Sequence, residues 1–450
     1  MGSNPAAFVL SFSSLRNLTG IREHRYPACV SMGVRVAFVY PLHNSSQRIK
    51  LSTVNNVVTL IVIVIAFLDT MTQLPILSPY VVSLGASALM VGAILGGYSL
   101  INMVGNLYAG PLIDRFNRRL MISVGMLLAG IAVGAYVLAQ TPGQLLVLRM
   151  VHGVGGAILI PAVFAWAGDR SAPGAAGRSM GFAAAAVAVA ATIGPAVGGI
   201  VSARFGIAPV FLGLGLLLSV TGVVLFPFSV LKVGYTRQAA QVQPLRWILR
   251  AKRLQVAYLL VFGLTVSMGS LVYAFPLIVQ DLGYSSARTG ALFSIFSATV
   301  IVLLVSPANR LLDRYPPEKV AAIGAGLMGL TVILLSQVAS LRGLTFVMVM
   351  YGTAFAALFP TTSAIIVRHA GGSHRGTAFG VYYAVYSLGF VVGPGLTGYA
   401  LTVGVAPFLP ALVVLGVSVA GSMVRARMAH RLSGDQAWQE GSEEGDIRNS

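Results

Sequence analysis

Residues 105–119 read GNLYAGPLIDRFNRR, a short charged stretch that separates two long apolar runs. It carries Asp114, Arg115, Arg118 and Arg119 in a chain of which only 9% of the residues are charged. Because charged side chains avoid the hydrocarbon of a bilayer, the stretch is predicted to be an aqueous turn between two membrane spans. The fold follows from this turn and from its recurrence later in the chain.

The chain is built twice. Asp313-Arg314 stands 199 residues after Asp114-Arg115, again between two apolar runs. Four further pairs keep this register to within one residue: Gly153 and Gly352, Pro161 and Pro360, Gly194-Pro195 and Gly393-Pro394, and Leu84-Gly85 and Leu282-Gly283. Such self-similarity predicts a duplicated half. With an even number of spans in each half, the halves would be related by an axis along the membrane normal and would enclose a cavity.

The composition requires a membrane. Hydrophobic residues make up 56% of the chain, and the mean hydropathy is +0.83. Spans need ~20 apolar residues each, and the sequence predicts an all-α polytopic protein with twelve transmembrane helices in two six-helix pseudo-symmetric halves. The predicted spans are about 54–80, 87–109, 120–139, 144–167, 179–203, 208–230, 254–280, 287–308, 320–340, 344–367, 377–401 and 406–427.

The same pattern predicts five segments in chain order. They are a disordered cytoplasmic N-terminal tail 1–50, an N-terminal half 51–231, a cytoplasmic linker 232–253, a C-terminal half 254–427 and a disordered cytoplasmic C-terminal tail 428–450.

The net charge of +18 comes from basic residues that are placed unevenly. With both termini in the cytoplasm, all but four of the 30 lysines and arginines fall on cytoplasmic segments; Arg204, Arg288 and Arg342 lie on outer loops and Arg149 lies within a span. This positive-inside bias favours a multi-pass protein of the cell (plasma or inner) membrane and makes a nucleic-acid partner the poorer explanation. The single cysteine, Cys29, has no partner for a disulfide.

Asp69 is the only acidic residue deep within a predicted span. A carboxylate at the centre of a spanning helix costs ~2.5–3.5 kcal/mol, so it is expected to face a cavity, find a partner or carry a proton. Gln73 shares its face one turn later, and Pro75 and Pro79 are expected to bend or loosen the outer half of the helix. A hydrogen-bonded, purely structural aspartate is the alternative.

The fourth span carries a second pair of candidates. Arg149, His152, Gly153 and Gly156 follow at i, i+3, i+4 and i+7, so the two polar side chains share a stripe with glycines that admit a neighbouring helix. A buried arginine needs a counter-charge, and we predict that Asp69 lies near it, directly or through water. Arg149 could instead cap backbone carbonyls, and His152 could relay a proton or stay neutral.

The fifth span contains Gly194, Pro195, Gly198 and Gly199. Such small residues let helix backbones touch, so this segment predicts either a hinge or seal at a moving interface, or tight static packing. The sequence contains no HExxH, GxSxG or GxxxxGK[ST] motif and no candidate metal site, which argues against an enzyme.

These stretches together resemble the major facilitator superfamily, and within it the twelve-helix drug:proton antiporters, over about residues 54–427. The segment GPLIDRFNRR is similar to the loop 2–3 signature, with Gly110 in its place and Asn117 where a glycine is usual; the weaker second copy keeps Asp313-Arg314. LLVLRMVHGVGGA resembles the fourth-helix signature of proton-coupled members, with His152 where glutamine is typical. ATIGPAVGG resembles the fifth-helix antiporter signature.

The resemblance implies proton-coupled efflux of small amphipathic or drug-like molecules by alternating access. A metabolite importer or facilitator of the same fold and a non-transporting receptor are the alternatives. No cofactor is expected, the proton being the coupling ion, and the expected protein is a monomer in the bilayer that binds a small-molecule substrate. The predicted proton-coupling residues are Asp69, Arg149 and His152; the loop 2–3 signature would gate the cytoplasmic side. The predicted cavity lining is Gln73, Asn102, Tyr351, Tyr382 and Tyr386.

Overall fold

The computed structural model describes residues 45–169, 176–227, 249–307, 315, 317–370 and 375–447. The chain falls into two units, Met1–Leu51 and Ser52–Ser450, and the helical bundle lies in the second. In the described ranges the secondary structure is helical throughout, without strands. Among the described residues, ten helices are long and apolar enough to cross a membrane, and a bent pair gives an eleventh if it is counted as one span. A shorter apolar helix, Lys319–Leu335, lies at the position of the remaining predicted span.

The helices of the first half are α1 (Ser45–Gln73), α2 (Leu77–Ser83), α3 (Ala88–Arg115), α4 (Arg118–Ala135), α5 (Pro142–Asp169), α6 (Ala176–Phe205) and α7 (Ala208–Leu225). Those of the second half are α8 (Lys252–Asp281), α9 (Ser286–Val305), α10 (Pro317–Leu335), α11 (Leu341–His369), α12 (Arg375–Thr402) and α13 (Leu409–Ile447). A 3₁₀ turn, Tyr136–Leu138, follows α4.

The first span is bent at the position that Pro75 and Pro79 predicted. Helices α1 and α2 meet at a bend of 48°. Pro75 lies in the break and has no N–H for the helix ladder, whereas Pro79 lies in the first turn of α2, where an N–H has no helical partner anyway. The expectation of a bent outer half is therefore confirmed, and the bend separates α2 from the part of α1 that holds Asp69.

The C-terminal end of the last span departs from the prediction. Helix α13 runs on to Ile447, well past the predicted span end at residue 427, so the stretch expected as a disordered tail is helical to that point. The stretch includes Ala, Gln and Glu residues, which favour a helix, and it continues an existing helix without the cost of a new nucleus. The N-terminal tail to residue 44 and most of the predicted linker lie outside the described residues.

The two halves repeat in packing as well as in sequence. A Cβ added to Gly153 would lie 2.7 Å from the Tyr98 carbonyl oxygen on α3, and one added to Gly352 would lie 2.9 Å from the Phe296 carbonyl oxygen on α9. Each glycine therefore allows close backbone approach of a neighbouring helix, α3 in the first half and its repeat equivalent α9 in the second half. The duplication read from the sequence is a structural duplication.

Four glycines with left-handed backbone mark one end of the bundle, which we call the glycine end. Gly85, Gly206, Gly283 and Gly404 have φ between +73° and +85° and lie in the connections after α2, α6, α8 and α12. Glycine is the residue that adopts this conformation without steric cost. The opposite end, where α4 begins with Arg118, is called the arginine end.

Among the described helices, the most extensive contacts between the halves are those of α3 with α12 and of α6 with α9. Both contacts use the repeated Gly-Pro segment near the glycine end. A Cβ on Gly92 of α3 would lie 2.5 Å from the carbonyl oxygen of Pro394, and a Cβ on Gly290 of α9 would collide with the carbonyl oxygen of Pro195. These glycines let the two halves close on each other at that end.

Candidate functional site

Asp69 is the centre of a buried polar cluster; it is only 2% exposed. Its Oδ2 lies 2.6 Å from His152 Nε2, and its Oδ1 accepts a 2.9 Å hydrogen bond from Gln73 Nε2. Gln73 also donates to the Asp69 carbonyl oxygen, which fixes the amide. The predicted shared face of Asp69 and Gln73 is thus a direct contact between the two side chains.

Arg149 reaches this cluster through Gln73. Its Nη1 donates to Gln73 Oε1 at 3.4 Å, while Nε and Nη2 donate to the carbonyl oxygens of Ile94 and Leu95 on α3 at 3.3 and 3.4 Å. Arg149 and Asp69 are near each other as predicted, and Gln73 hydrogen-bonds to both side chains. The two readings of Arg149 also hold together, because it both approaches the acid and caps backbone carbonyls.

The glycine stripe of α5 brings Tyr98 of α3 over the cluster. A Cβ on Gly156 would lie 2.9 Å from the Tyr98 Cζ, so only glycine leaves room for this ring. The ring centroid lies 4.7 Å from that of His152 and 5.1 Å from the Arg149 Cζ, within the range of a cation–π contact. Asn102 adds a side-chain hydrogen bond to Tyr98.

Tyr136 completes the surroundings of His152. Its hydroxyl lies 2.8 Å from His152 Nδ1, and the Arg149 guanidinium lies beside the same hydroxyl. In the state in which Asp69 is ionised, its carboxylate only accepts hydrogen bonds. His152 then carries its proton on Nε2 toward Asp69 and accepts the Tyr136 proton on Nδ1. No sequence pattern pointed to Tyr98 or Tyr136, because tyrosines are common in spans and neither shares a motif with Asp69.

One additional proton on the Asp69–His152 pair raises the net charge of this buried cluster from zero to +1. Asp69 and Arg149 balance each other, and His152 is the neutral group between the carboxylate and Tyr136. At 2.6 Å the Asp69–His152 contact is short enough for a proton to be shared or exchanged between oxygen and nitrogen. Because His152 is fully buried, a proton can come and go only when the bundle opens a path to it.

Three predicted cavity residues are buried instead. Tyr351 and Tyr382 are fully buried, and their hydroxyls are bound at 2.9 Å to Ser267 and Thr362. Gln73 is equally enclosed, in the Asp69 cluster. The prediction that these three line an open cavity is wrong for this structure, because each polar atom has found a protein partner and no longer needs water.

Tyr386 and Asn102 are half-buried, as a cavity wall requires. Tyr386 belongs to an aromatic group with Phe359 and Phe390, at centroid distances of 6.1 and 5.2 Å. Toward the arginine end, a cavity of about 680 Å³ opens along one stripe of α11. Its lining residues are Pro360, Ser363, Ala364, Val367 and Arg368.

The fifth-helix segment supports α1 beside the site. A Cβ on Gly194 would lie 2.8 Å from the Met71 Cβ, and a Cβ on Gly198 would collide with the Thr72 carbonyl oxygen. Gly199 faces the second half instead, where Ser286 Oγ donates to its carbonyl oxygen at 3.1 Å. The segment therefore packs tightly on both the helix that carries Asp69 and the opposite half.

The loop 2–3 signature begins α4. Asn117 is its N-cap, with an extended backbone and a side chain that accepts from Arg119 N at 2.9 Å, so the position does not need the glycine that is usual there. Arg118 pairs with Asp169 at the end of α5 at 3.1 Å. Gly110, Asp114 and Arg115 lie in the last turns of α3, where side chains are outside the described residues, as are Asp313 and Arg314.

Comparison with known proteins agrees with this arrangement. Residues 59–266 and 257–445 match the Major Facilitator Superfamily. The chain belongs to the major facilitator superfamily. It is 24% identical over 376 residues to multidrug resistance protein 2 of Bacillus subtilis, covering 80% of this chain and 92% of the relative, and 22% identical over 371 residues to the quinolone resistance protein NorA of Staphylococcus aureus, covering 80% and 93%.

Solved structures give the same fold. A bacterial homologue of the human lysosomal transporter Spinster, in an inward-facing and unoccupied conformation, superposes with a TM-score of 0.70 at 15% identity, covering 84% of this chain and 98% of that one. The nucleoside transporter NupG superposes at 0.66 and 14%, covering 83% and 98%. As a member of the major facilitator superfamily, the chain is a multi-pass membrane transporter of small molecules and not an enzyme.

In this transporter, removing Arg149 leaves the Asp69 carboxylate buried without a counter-charge. We expect Arg149→Gln to lower the free energy of unfolding by ~3 kcal/mol, the usual cost of breaking a buried charge pair. The double variant Arg149→Gln with Asp69→Asn should lose less stability than the sum of the losses in the two single variants, by at least ~1 kcal/mol, because the two residues belong to one network. Reversible unfolding in detergent micelles measures both.

Arg288→Gln is the matched control. Arg288 is exposed and contacts only the Tyr284 ring, at 5.0 Å, among its described aromatic neighbours. Its removal should change stability by less than ~0.5 kcal/mol. Strictly additive losses in the Arg149 and Asp69 variants would show that the two residues do not share a network.

Proposed function

We propose that this transporter exports small amphipathic molecules in exchange for protons, with Asp69 and His152 as the site that takes up and releases the proton. The observation that carries the proposal is the 2.6 Å contact between these two buried side chains, with Arg149 alongside. Burying an acid beside a histidine within a membrane span is costly, and packing alone does not require it, so such a pair points to a function. No cofactor is required beyond the proton.

Two further facts support export. The curated relatives cited above are named for multidrug and quinolone resistance. The basic residues favour a cytoplasmic arginine end and cytoplasmic termini in a bacterial inner membrane. In that orientation the cavity along α11 faces the cytoplasm and the closed glycine end faces outward, which is the state that would load substrate from inside the cell.

Charge should move during transport. Each proton that enters along a membrane potential of 100 mV contributes ~2.3 kcal/mol. A pH difference of one unit contributes another ~1.4 kcal/mol per proton, or tenfold in the concentration of an exchanged neutral substrate. One coupled proton is therefore enough to concentrate substrate outside.

Reconstitution tests this proposal directly. Proteoliposomes with an acidic lumen and a clamped potential are given ethidium as a cationic dye and Nile red as a neutral dye. An antiporter accumulates dye in the acidic lumen, by about tenfold per pH unit for one proton per neutral dye, and a protonophore abolishes the gradient. A symporter moves dye the other way. Dye movement that ignores the pH gradient would refute proton coupling.

A further inference from the structure

Tyr136 touches two distant parts of the bundle at once. Its hydroxyl lies 2.8 Å from His152 Nδ1, and its backbone carbonyl oxygen accepts a 2.7 Å hydrogen bond from the Tyr80 hydroxyl. Tyr80 lies on α2, beyond the break in the first span. One residue therefore joins the Asp69–His152 pair to α2.

Helix α2 in turn holds the second half at the glycine end. Ser78 Oγ donates to the Tyr273 carbonyl oxygen of α8 at 2.8 Å, and the Tyr273 hydroxyl donates to the Ala88 carbonyl oxygen at 2.7 Å. Tyr273 is thus bonded on both sides of the 84–87 connection of the first half. Ser78 and Tyr273 are both buried, and these two bonds join the halves where the glycine end is closed.

The break at Pro75 allows α2 to move without α1. Only three residues, 74–76, separate the helices, which meet at 48°. Tyr80 and Tyr136 pack on the same ring, Phe211, at centroid distances of 5.1 and 5.3 Å. A shift of Tyr136 is therefore transmitted to Tyr80 by packing as well as by the hydrogen bond.

We propose that Tyr136 is a positioning residue that transmits the protonation state of the Asp69–His152 pair, through Tyr80 and α2, to closure of the glycine end. The inference rests on the proposed role of that pair as the proton site. The titratable and charged groups that face His152 are Asp69 from α1, Tyr98 from α3 and Tyr136 after α4, with Arg149 on its own helix.

Tyr136 responds to the proton wherever in the pair it resides. Before uptake, His152 donates from Nε2 to Asp69 and accepts the Tyr136 proton on Nδ1. If the proton joins His152, Nδ1 becomes a donor. If it joins Asp69, the carboxyl O–H donates to Nε2 and the neutral imidazole carries its hydrogen on Nδ1 instead. In both cases an N–H now points at the Tyr136 hydroxyl.

That change leaves the Tyr136 hydroxyl proton without its acceptor. The hydroxyl oxygen now faces two donors, His152 Nδ1 and the Arg149 guanidinium beside it. A buried hydroxyl that loses its acceptor is unfavourable, so the hydroxyl must rotate and the ring must shift. The carbonyl bonded to Tyr80 belongs to the same residue, and the strain therefore reaches α2 and the Ser78–Tyr273 contact.

A thiol at the closed interface reports the result. Thr289 is 2% exposed and lines a cavity of about 230 Å³ between the halves at the glycine end, together with Pro79 and Pro276. In a Cys29→Ser background, Thr289→Cys is the single thiol. Its rate of modification by a water-soluble maleimide is measured in the full-length, detergent-solubilised protein without substrate, across about pH 5 to 8, where an ordinary histidine titrates.

The parent rate should change with pH by about 5-fold or more, the lower end of ordinary coupling between two sites. Tyr136→Phe keeps the ring and the carbonyl but removes the hydroxyl, and should flatten this pH profile. Tyr80→Phe should flatten it as well, and the double variant should add nothing further. Tyr258→Phe removes a hydroxyl bonded to the Ala378 carbonyl oxygen within the second half and should keep the parent profile.

Retention of the parent profile by Tyr136→Phe, or a flat profile in the parent, would overturn the inference. Misfolding is separated from this outcome because Tyr136→Phe must give the parent labelling rate at the alkaline limit. The inference and the proposed function fail separately. If the parent transports dye along a pH gradient but Tyr136→Phe keeps the parent labelling profile, the proposed function stands and the coupling route through Tyr136 is refuted. If the parent carries no protons, the proposed function itself is refuted.

Discussion

Asp69→Asn is expected to abolish uphill transport while leaving dye exchange intact. The amide cannot take up a proton near neutral pH, so lumenal accumulation should fall from about tenfold per pH unit to no accumulation. Exchange of dye at equal concentrations needs only the bundle to open and close, and the asparagine carbonyl can still accept from His152 or Gln73. Comparing accumulation with equilibrium exchange in the same proteoliposomes measures the difference.

Asp281→Asn is the control for this variant. Asp281 ends α8 at the glycine end and is exposed, far in sequence from the cluster and with its carboxylate in water. The Asp281→Asn variant should accumulate dye to the same level as the parent protein. Uphill accumulation by Asp69→Asn at the parent level would exclude Asp69 as the proton site, whatever the fate of the control.

Gly290→Val is expected to prevent closure of the glycine end. The added side chain enters the space of the Pro195 carbonyl and of Gly199 Cα, which would lie 3.2 Å from its Cβ. Overpacking of this kind costs ~1–3 kcal/mol, which corresponds to roughly 5- to 150-fold in the ratio of open to closed states. Maleimide labelling of Ser202→Cys, on the wall of the 230 Å³ cavity, should rise by that factor, and dye accumulation should be lost.

Gly213→Val separates this effect from the cost of valine in a helix. Gly213 lies on α7 with nothing within 4 Å of an added Cβ, so the change adds the same side chain without a collision. Labelling and transport should match the parent. If Gly290→Val also matched the parent, then this contact would not be part of the closing surface.

The sequence predicted the parts of the site that stand out by charge. Asp69 and Arg149 are recognisable because each is a lone charge in an apolar run, and the prolines after Gln73 predicted the break between α1 and α2. The repeat at 199 residues predicted the duplicated half, whereas the contacts that its two Gly-Pro segments make between the halves were found only in the structure. Charge and glycine spacing are local properties, so a sequence can carry them.

The partners of these residues depend on how helices rotate and pack. Tyr98 and Tyr136 look like any other span tyrosines, and only the structure places their rings on His152. Tyr351 and Tyr382 show the reverse error: polar groups in spans were expected to face a cavity, but neighbouring serine and threonine side chains satisfy their hydroxyls. Whether a tyrosine finds a partner in the protein or faces water is decided by the opposite helix, which no local pattern describes.

The most direct test is to let dye drive protons. Proteoliposomes containing a lumenal pH indicator are loaded with ethidium, or with Nile red, and diluted into dye-free buffer at the same pH with the potential clamped. Dye leaving through the parent should draw protons in and acidify the lumen, because linkage between the two is reciprocal. Asp69→Asn, at an equal rate of dye exchange, should leave lumenal pH unchanged. Equal acidification by both proteins would contradict a proton site at Asp69 and His152.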